Sequence, residues 1–94
     1  MREATLQAKC IRYLRDLGVY TIKTIVTNSN GAPDLLACIQ GKFISFEIKA
    51  PGKRPTRLQQ YHADRITISG GRYYVIDDFQ QFTRIVMQLF REAA

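Results

Sequence analysis

Two strand-like segments, Asp34 to Ile39 and Lys42 to Lys49, are separated only by Gln40-Gly41. A junction that short closes a β-hairpin and fixes its register. Ile39 then faces Lys42, and counting outward along both strands Asp34 faces Glu47. Alternation along the second strand puts Phe43, Ser45, Glu47 and Lys49 on one face and Ile44, Phe46 and Ile48 on the other. Two acids and a lysine are thereby expected to meet on one face of a hairpin whose neighbours, Leu35, Leu36, Phe46 and Ile48, are hydrophobic.

The rest of the chain supplies what a hairpin needs to fold. From Glu3 to Leu17, apolar residues recur at Leu6, Cys10, Tyr13, Leu14 and Leu17, the stripe of an amphipathic helix that Gly18 ends. Val19 to Thr27 is β-branched and aromatic and reads as a first strand. Asn28 to Pro33 is a loop cluster. After the hairpin, Ala50 to Pro55 carries two prolines and a glycine, Thr56 opens a helix with Leu58, Tyr61 and Ile66 on its apolar side, and Gly70-Gly71 closes it. Arg72 to Ile76 is a short strand, and Asp78 caps a last helix striped by Phe79, Phe82, Val86, Leu89 and Phe90. The expected order is αβββαβα, an α/β domain with a mixed four-stranded sheet flanked by helices. The helix between Lys49 and Arg72 serves as the crossover that parallel pairing requires.

At 94 residues, 46% hydrophobic, the chain suits one domain spanning 1–94 with a modest core. Its longest apolar run, Leu35 to Ile39, is far short of the ~20 residues of a membrane helix, so a soluble, intracellular protein is expected. Cys10 and Cys38 sit in apolar-periodic segments without zinc-ligand spacing and read as reduced core residues. Fourteen Lys and Arg against eight Asp and Glu give a net charge of +6, which favours a polyanionic partner, nucleic acid first. Between Ile48 and Ala63 there is no acid at all, while Lys49, Lys53, Arg54 and Arg57 form a local basic stretch.

Like charges directly opposite each other destabilise a sheet unless something compensates, and a divalent cation would compensate Asp34 and Glu47. The chemistry that fits is metal-assisted hydrolysis of a phosphodiester. Two carboxylates hold a hard ion such as Mg2+ or Mn2+, and Lys49 supplies positive charge toward the attacking water or the phosphorane. Taken singly, Asp34 is also a good turn-capping residue and Glu47 with Lys49 an ordinary strand charge pair; the shared register favours the site.

The segments Gly31-Ala32-Pro33-Asp34-Leu35-Leu36, Phe46-Glu47-Ile48-Lys49-Ala50-Pro51-Gly52-Lys53 and Thr56-Arg57-Leu58-Gln59 resemble the virus-type replication-repair nuclease domain, VRR-NUC, of the PD-(D/E)xK superfamily. The resemblance runs from Glu3 through Asp78 and implies a restriction-endonuclease-like core. It implies Asp34 and Glu47 as metal ligands, Lys49 as the catalytic lysine, and the main-chain carbonyl of Ile48 as a further ligand. Glu3 would match an acid on the family's first helix and reach the metal through water; a first-turn Glu is also favoured by the helix dipole. Gln59 would position the lysine or the water, although Thr56-x-x-Gln59 is equally a capping box. The chain resembles the compact, stand-alone phage and bacterial members, which are similar to Holliday-junction resolvases and act as homodimers. Their setting is replication, recombination or repair in the cytoplasm of a bacterial or phage-infected cell.

The expected activity is therefore a Mg2+- or Mn2+-dependent DNA endonuclease selective for branched or junction DNA, with Lys53, Arg54 and Arg57 holding phosphates. The rival is a non-catalytic nucleic-acid-binding module using the same basic loop. Asp34 with Glu47 discriminates between them, because paired carboxylates repel a polyanion unless a cation intervenes.

Overall fold

The computed structural model describes residues 1–92; Ala93 and Ala94, the end of the expected domain, lie outside them. The order is α1 (Glu3–Asp16), β1 (Tyr20–Lys23), β2 (Leu35–Ile39), β3 (Lys42–Ile48), α2 (Arg57–Ile68), β4 (Arg72–Ile76) and α3 (Phe79–Arg91). One mixed sheet runs β1-β2-β3-β4, antiparallel at the first two pairings and parallel between β3 and β4. The parallel pairing is the one that α2 bridges.

The hairpin has the register expected of it. Ile39 pairs with Lys42 and Leu35 with Phe46. Gln40 and Gly41 adopt φ of 51° and 78°, the two successive left-handed residues of the tight turn whose twist matches that of the strands. Leu35, Ala37 and Ile39 therefore share a face with Ile44, Phe46 and Ile48, and all six are buried. Helices α1 and α3 cover this face through Leu6, Cys10 and Leu14 and through Phe82, Val86 and Leu89. Phe46 lies at the centre, 4.9 Å from the ring of Phe82 and stacked on Tyr74. Side chains of this size each contribute about 1.5–3 kcal/mol when fully buried. The aromatic stripe of α3 is thus core, and an Arg72–Glu92 ion pair at 2.8 Å ties the end of that helix to β4.

Three expectations change. The first strand stops at Lys23 instead of running to Thr27, because β2 is only five residues long and offers nothing further to pair with; Ile25 and Val26 are left exposed. The second helix is anchored more thinly than its pattern suggested. Ala63 is its buried residue, and Leu58 and Tyr61 are largely exposed, since α2 packs chiefly against β4, one short strand at the sheet edge. Cys38 is exposed on the sheet face toward α2, beyond the helix, whereas Cys10 is in the core; both are free thiols. No helix among the described residues is long and apolar enough to cross a membrane.

Candidate active site

Strand β3 has a second buried face. Ser45 and Glu47 point away from α1 and α3 yet are 0% and 3% exposed, since α2 and β4 close over them. A buried serine is readily satisfied, and Ser45 donates to the Arg72 carbonyl at 2.8 Å. A buried carboxylate is not, and three neighbours decide its state.

Asp34 sits one residue before β2. Continuing the ladder would set Pro33 opposite Ile48, but the Pro33 carbonyl accepts from Thr24 Oγ1 at 2.6 Å. The Ile48 amide is instead taken by the side chain of Asp34, whose Oδ2 accepts it at 2.8 Å. On the other side, the Asp34 carbonyl accepts from the Thr24 amide at 2.9 Å. Asp34 is thereby clamped between the residue that follows β1 and the end of β3, with its carboxylate beside Glu47.

Lys49 lies two residues beyond Glu47 on the same side, its Nζ 4.0 Å from Glu47 Oε2 and its side chain 13% exposed. Gln59, in the first turn of α2, forms the capping box, and its second contact goes to Glu47, where the resemblance implied the lysine or the water. Its Oε1 accepts from the Thr56 amide and its own amide donates to Thr56 Oγ1, completing the capping box, while its Nε2 donates to Glu47 Oε2 at 3.0 Å. Helix cap and carboxylate holder are one side chain.

Glu47 Oε2 is thus engaged, but Oε1 is buried with no hydrogen-bond partner among the described residues, and so is the hydroxyl of Tyr73. Burial pushes the Glu47 carboxyl up to about 8, reinforced by the charge of Asp34 and opposed by Lys49. Tyr73 is also raised, by burial first and then by the charges of Glu47 and Asp34.

The remaining expected residues surround this group. Glu3 is exposed, and its Oε2 accepts from the Ala50 amide at 2.8 Å just past β3; its charge acts weakly on Glu47. The Ile48 amide donates to Asp34 Oδ2, so the main chain whose carbonyl is the expected further ligand lies against that acid. Lys53, Arg54 and Arg57 are exposed on the loop and helix start after the site, without an acidic partner among the described residues. A polar depression of about 360 Å3 opens beside Asp34, lined by Thr24, Ser29 and Asn30. A larger concavity of about 650 Å3, near Tyr74 and α3, has no acid in its lining.

No group of three or more His, Cys, Asp or Glu side chains at metal-holding spacing occurs among the described residues. The donors that do converge are two carboxylates, one with an orphaned oxygen. That set fits a hard ion that keeps several of its own waters better than one needing a full protein cage.

Three contributors escaped the sequence reading. Thr24 was placed within a strand, and nothing in its surroundings marked it as the clamp on Asp34. Tyr73 lies in the short strand Arg72 to Ile76, and nothing in that segment sets it apart. His62, the single histidine, bonds the Asn30 carbonyl at 2.8 Å and Ser29 Oγ at 3.1 Å, pinning the loop before Asp34 to α2. The one available signal in this loop was Gly31. Its φ is 83°, and a Cβ there would lie 2.7 Å from Leu58 Cγ and 3.1 Å from the Leu58 main-chain carbon. A side chain could swing aside, but the helix backbone cannot. Gly31→Ala is expected to cost about 1–3 kcal/mol in denaturant unfolding. An unchanged midpoint would show that the loop is not held against α2.

Comparison with known proteins fits this arrangement. No protein-family model matches the chain. It is 32% identical over 78 residues, 82% of its own length and 84% of the relative's, to the "Putative nuclease p44" of Acyrthosiphon pisum secondary endosymbiont phage 1. A solved structure described as a VRR_NUC domain superposes with a TM-score of 0.80 at 24% identity, covering 90% of this chain and 94% of the other. The fold is shared with the second and the sequence with the first, and the chain belongs to the VRR-NUC family of nuclease domains.

Proposed function

We propose that this chain is a divalent-cation-dependent DNA endonuclease, a single domain acting as a homodimer on branched or junction DNA. The observation that carries this reading is the Glu47 carboxylate: buried, one oxygen orphaned, beside Asp34 and within 4.0 Å of Lys49. A small fold retains so costly a group where function requires it. Asp34 and Glu47 would hold Mg2+ or Mn2+, the Ile48 carbonyl would add a main-chain donor, and Glu3 would meet the ion through water. When bound, such an ion supplies charge for the scissile phosphate and a more acidic water.

The chain's own residues do the rest. Lys49 carries a sheltered positive charge toward the phosphorane oxygens or the nucleophilic water, where low exposure makes it more effective than in solvent. Gln59 fixes the orientation of Glu47. Lys53, Arg54 and Arg57 bind phosphates on the flanking strand, which orients DNA without reading its bases and suits recognition by shape. A twofold dimer would set two such sites on opposite strands of a branch. The similarity to a phage protein supports a replication, recombination or repair role in a bacterial or phage-infected cell.

The test is incubation of the purified protein with labelled duplex, flap and four-way-junction DNA in Mg2+, Mn2+ or chelator, beside Asp34→Ala. Metal-dependent cutting, strongest on the branched DNAs and abolished by the substitution while binding persists, is expected. Binding of all three DNAs without cutting in either metal would make the protein a binding module.

A further inference from the structure

The Tyr73 hydroxyl is the second buried, unpartnered side-chain atom of the described residues, and it lies on the same side of the sheet as the first. Tyr73 pairs with Ser45 and Val75 with Glu47 across the parallel β3–β4 ladder. Alternation sends Tyr73 to the face that Ser45 and Glu47 share, one ladder step from the carboxylate. Its neighbour Tyr74 goes the other way and stacks on Phe46 in the core. A buried hydroxyl without a partner costs about 1–3 kcal/mol, and packing alone would be served as well by phenylalanine. Two such atoms on one face of the sheet, a hydroxyl and a carboxylate oxygen, imply a shared occupant that bonds to both.

We propose that Tyr73 is a positioning residue of the candidate cation site, its hydroxyl oxygen accepting a hydrogen bond from the hydration of the ion held at Glu47. A water held by the ion spends a lone pair on the metal and presents its hydrogens as polarised donors, which need acceptors such as a phenol oxygen. A neutral phenol suits this place because it adds no charge to a cavity that already holds two acids and a lysine. Contacts of this outer kind commonly tune metal affinity by about 10- to 100-fold. The inference rests on the cation-site reading above, and the experiment separates the two.

Mn2+ is titrated calorimetrically into the wild-type protein, Tyr73→Phe, Glu47→Gln and, as a control, Tyr20→Phe on an exposed position, all without DNA, and the metal-free melting temperature of each is recorded. Tyr73→Phe is expected to weaken Mn2+ about tenfold while its metal-free melting temperature stays level or rises, because an unsatisfied hydroxyl has been removed. Glu47→Gln is expected to abolish binding, and Tyr20→Phe to leave it unchanged. If Glu47→Gln abolishes binding but Tyr73→Phe binds as tightly as wild type, the role of Tyr73 is overturned and the cation site stands. A fall in the metal-free melting temperature of Tyr73→Phe with unchanged affinity would make the hydroxyl structural and also overturn it. If wild type and Glu47→Gln alike fail to bind, both readings fall together.

Discussion

Glu47→Gln is expected to reduce cleavage below detection and, in chelator, to make the protein more stable than wild type at pH 9. The carboxyl of Glu47 is raised from about 4.5 to about 8 in the fold. Between those values the folded state binds the proton more than the unfolded state does, so unfolding free energy falls as pH rises through this window. The contribution is intact below about 4.5 and lost above about 8. Glutamine has the shape of the protonated acid and carries no charge at any pH, so the variant escapes that loss. Its melting temperature should match wild type near pH 5 and exceed it at pH 9. Adding Mn2+ at pH 9 should raise the wild-type midpoint, because an ion that binds the native ionised site stabilises by mass action, and should leave the variant unmoved. Parallel pH profiles for the two proteins would show that Glu47 is satisfied in some other way.

Lys49→Met should lower the single-turnover rate at saturating metal by about 10²- to 10³-fold, the loss expected when one preorganised charge is removed from a transition state. Methionine keeps the length and apolar stem of the lysine, and the side chain is only 13% exposed, so folding should persist. The substitution also removes a cation 4.0 Å from Glu47 Oε2, and Mn2+ affinity should hold or rise because a competing positive charge has gone. Loss of rate with retained metal binding is the signature of a group acting on the reacting phosphate. A rate within a few-fold of wild type would assign Lys49 to neutralising Glu47 alone.

The acids and the lysine were legible because a two-residue turn sets a register, and a register places side chains by counting. Nothing tertiary was needed to set Asp34 against Glu47 and Lys49. Gln59 was legible as a cap for the same local reason, and its second contact needed only the helix to lie near the strand. Thr24, His62 and Tyr73 differ in kind. Thr24 reaches the Asp34 clamp from just past the edge strand, His62 reaches back across 32 residues to Asn30, and Tyr73 comes to the face of Glu47 through a parallel pairing with Ser45 made only after a helical crossover. No spacing rule links such positions. The exposure of Cys38, Leu58 and Tyr61 was hidden similarly: periodicity says which residues share a face, not how much of that face a short helix covers.

Because Gln59 closes the first turn of α2 and holds Glu47 with the same amide group, fraying of that helix and disorder of the carboxylate are a single local opening. Of the basic residues, Arg54 lies just before this turn and Arg57 opens it. Whatever steadies the start of α2 also steadies the acid on β3, and the hydrogen-exchange rate of the Gln59 amide reports how long the site stays assembled.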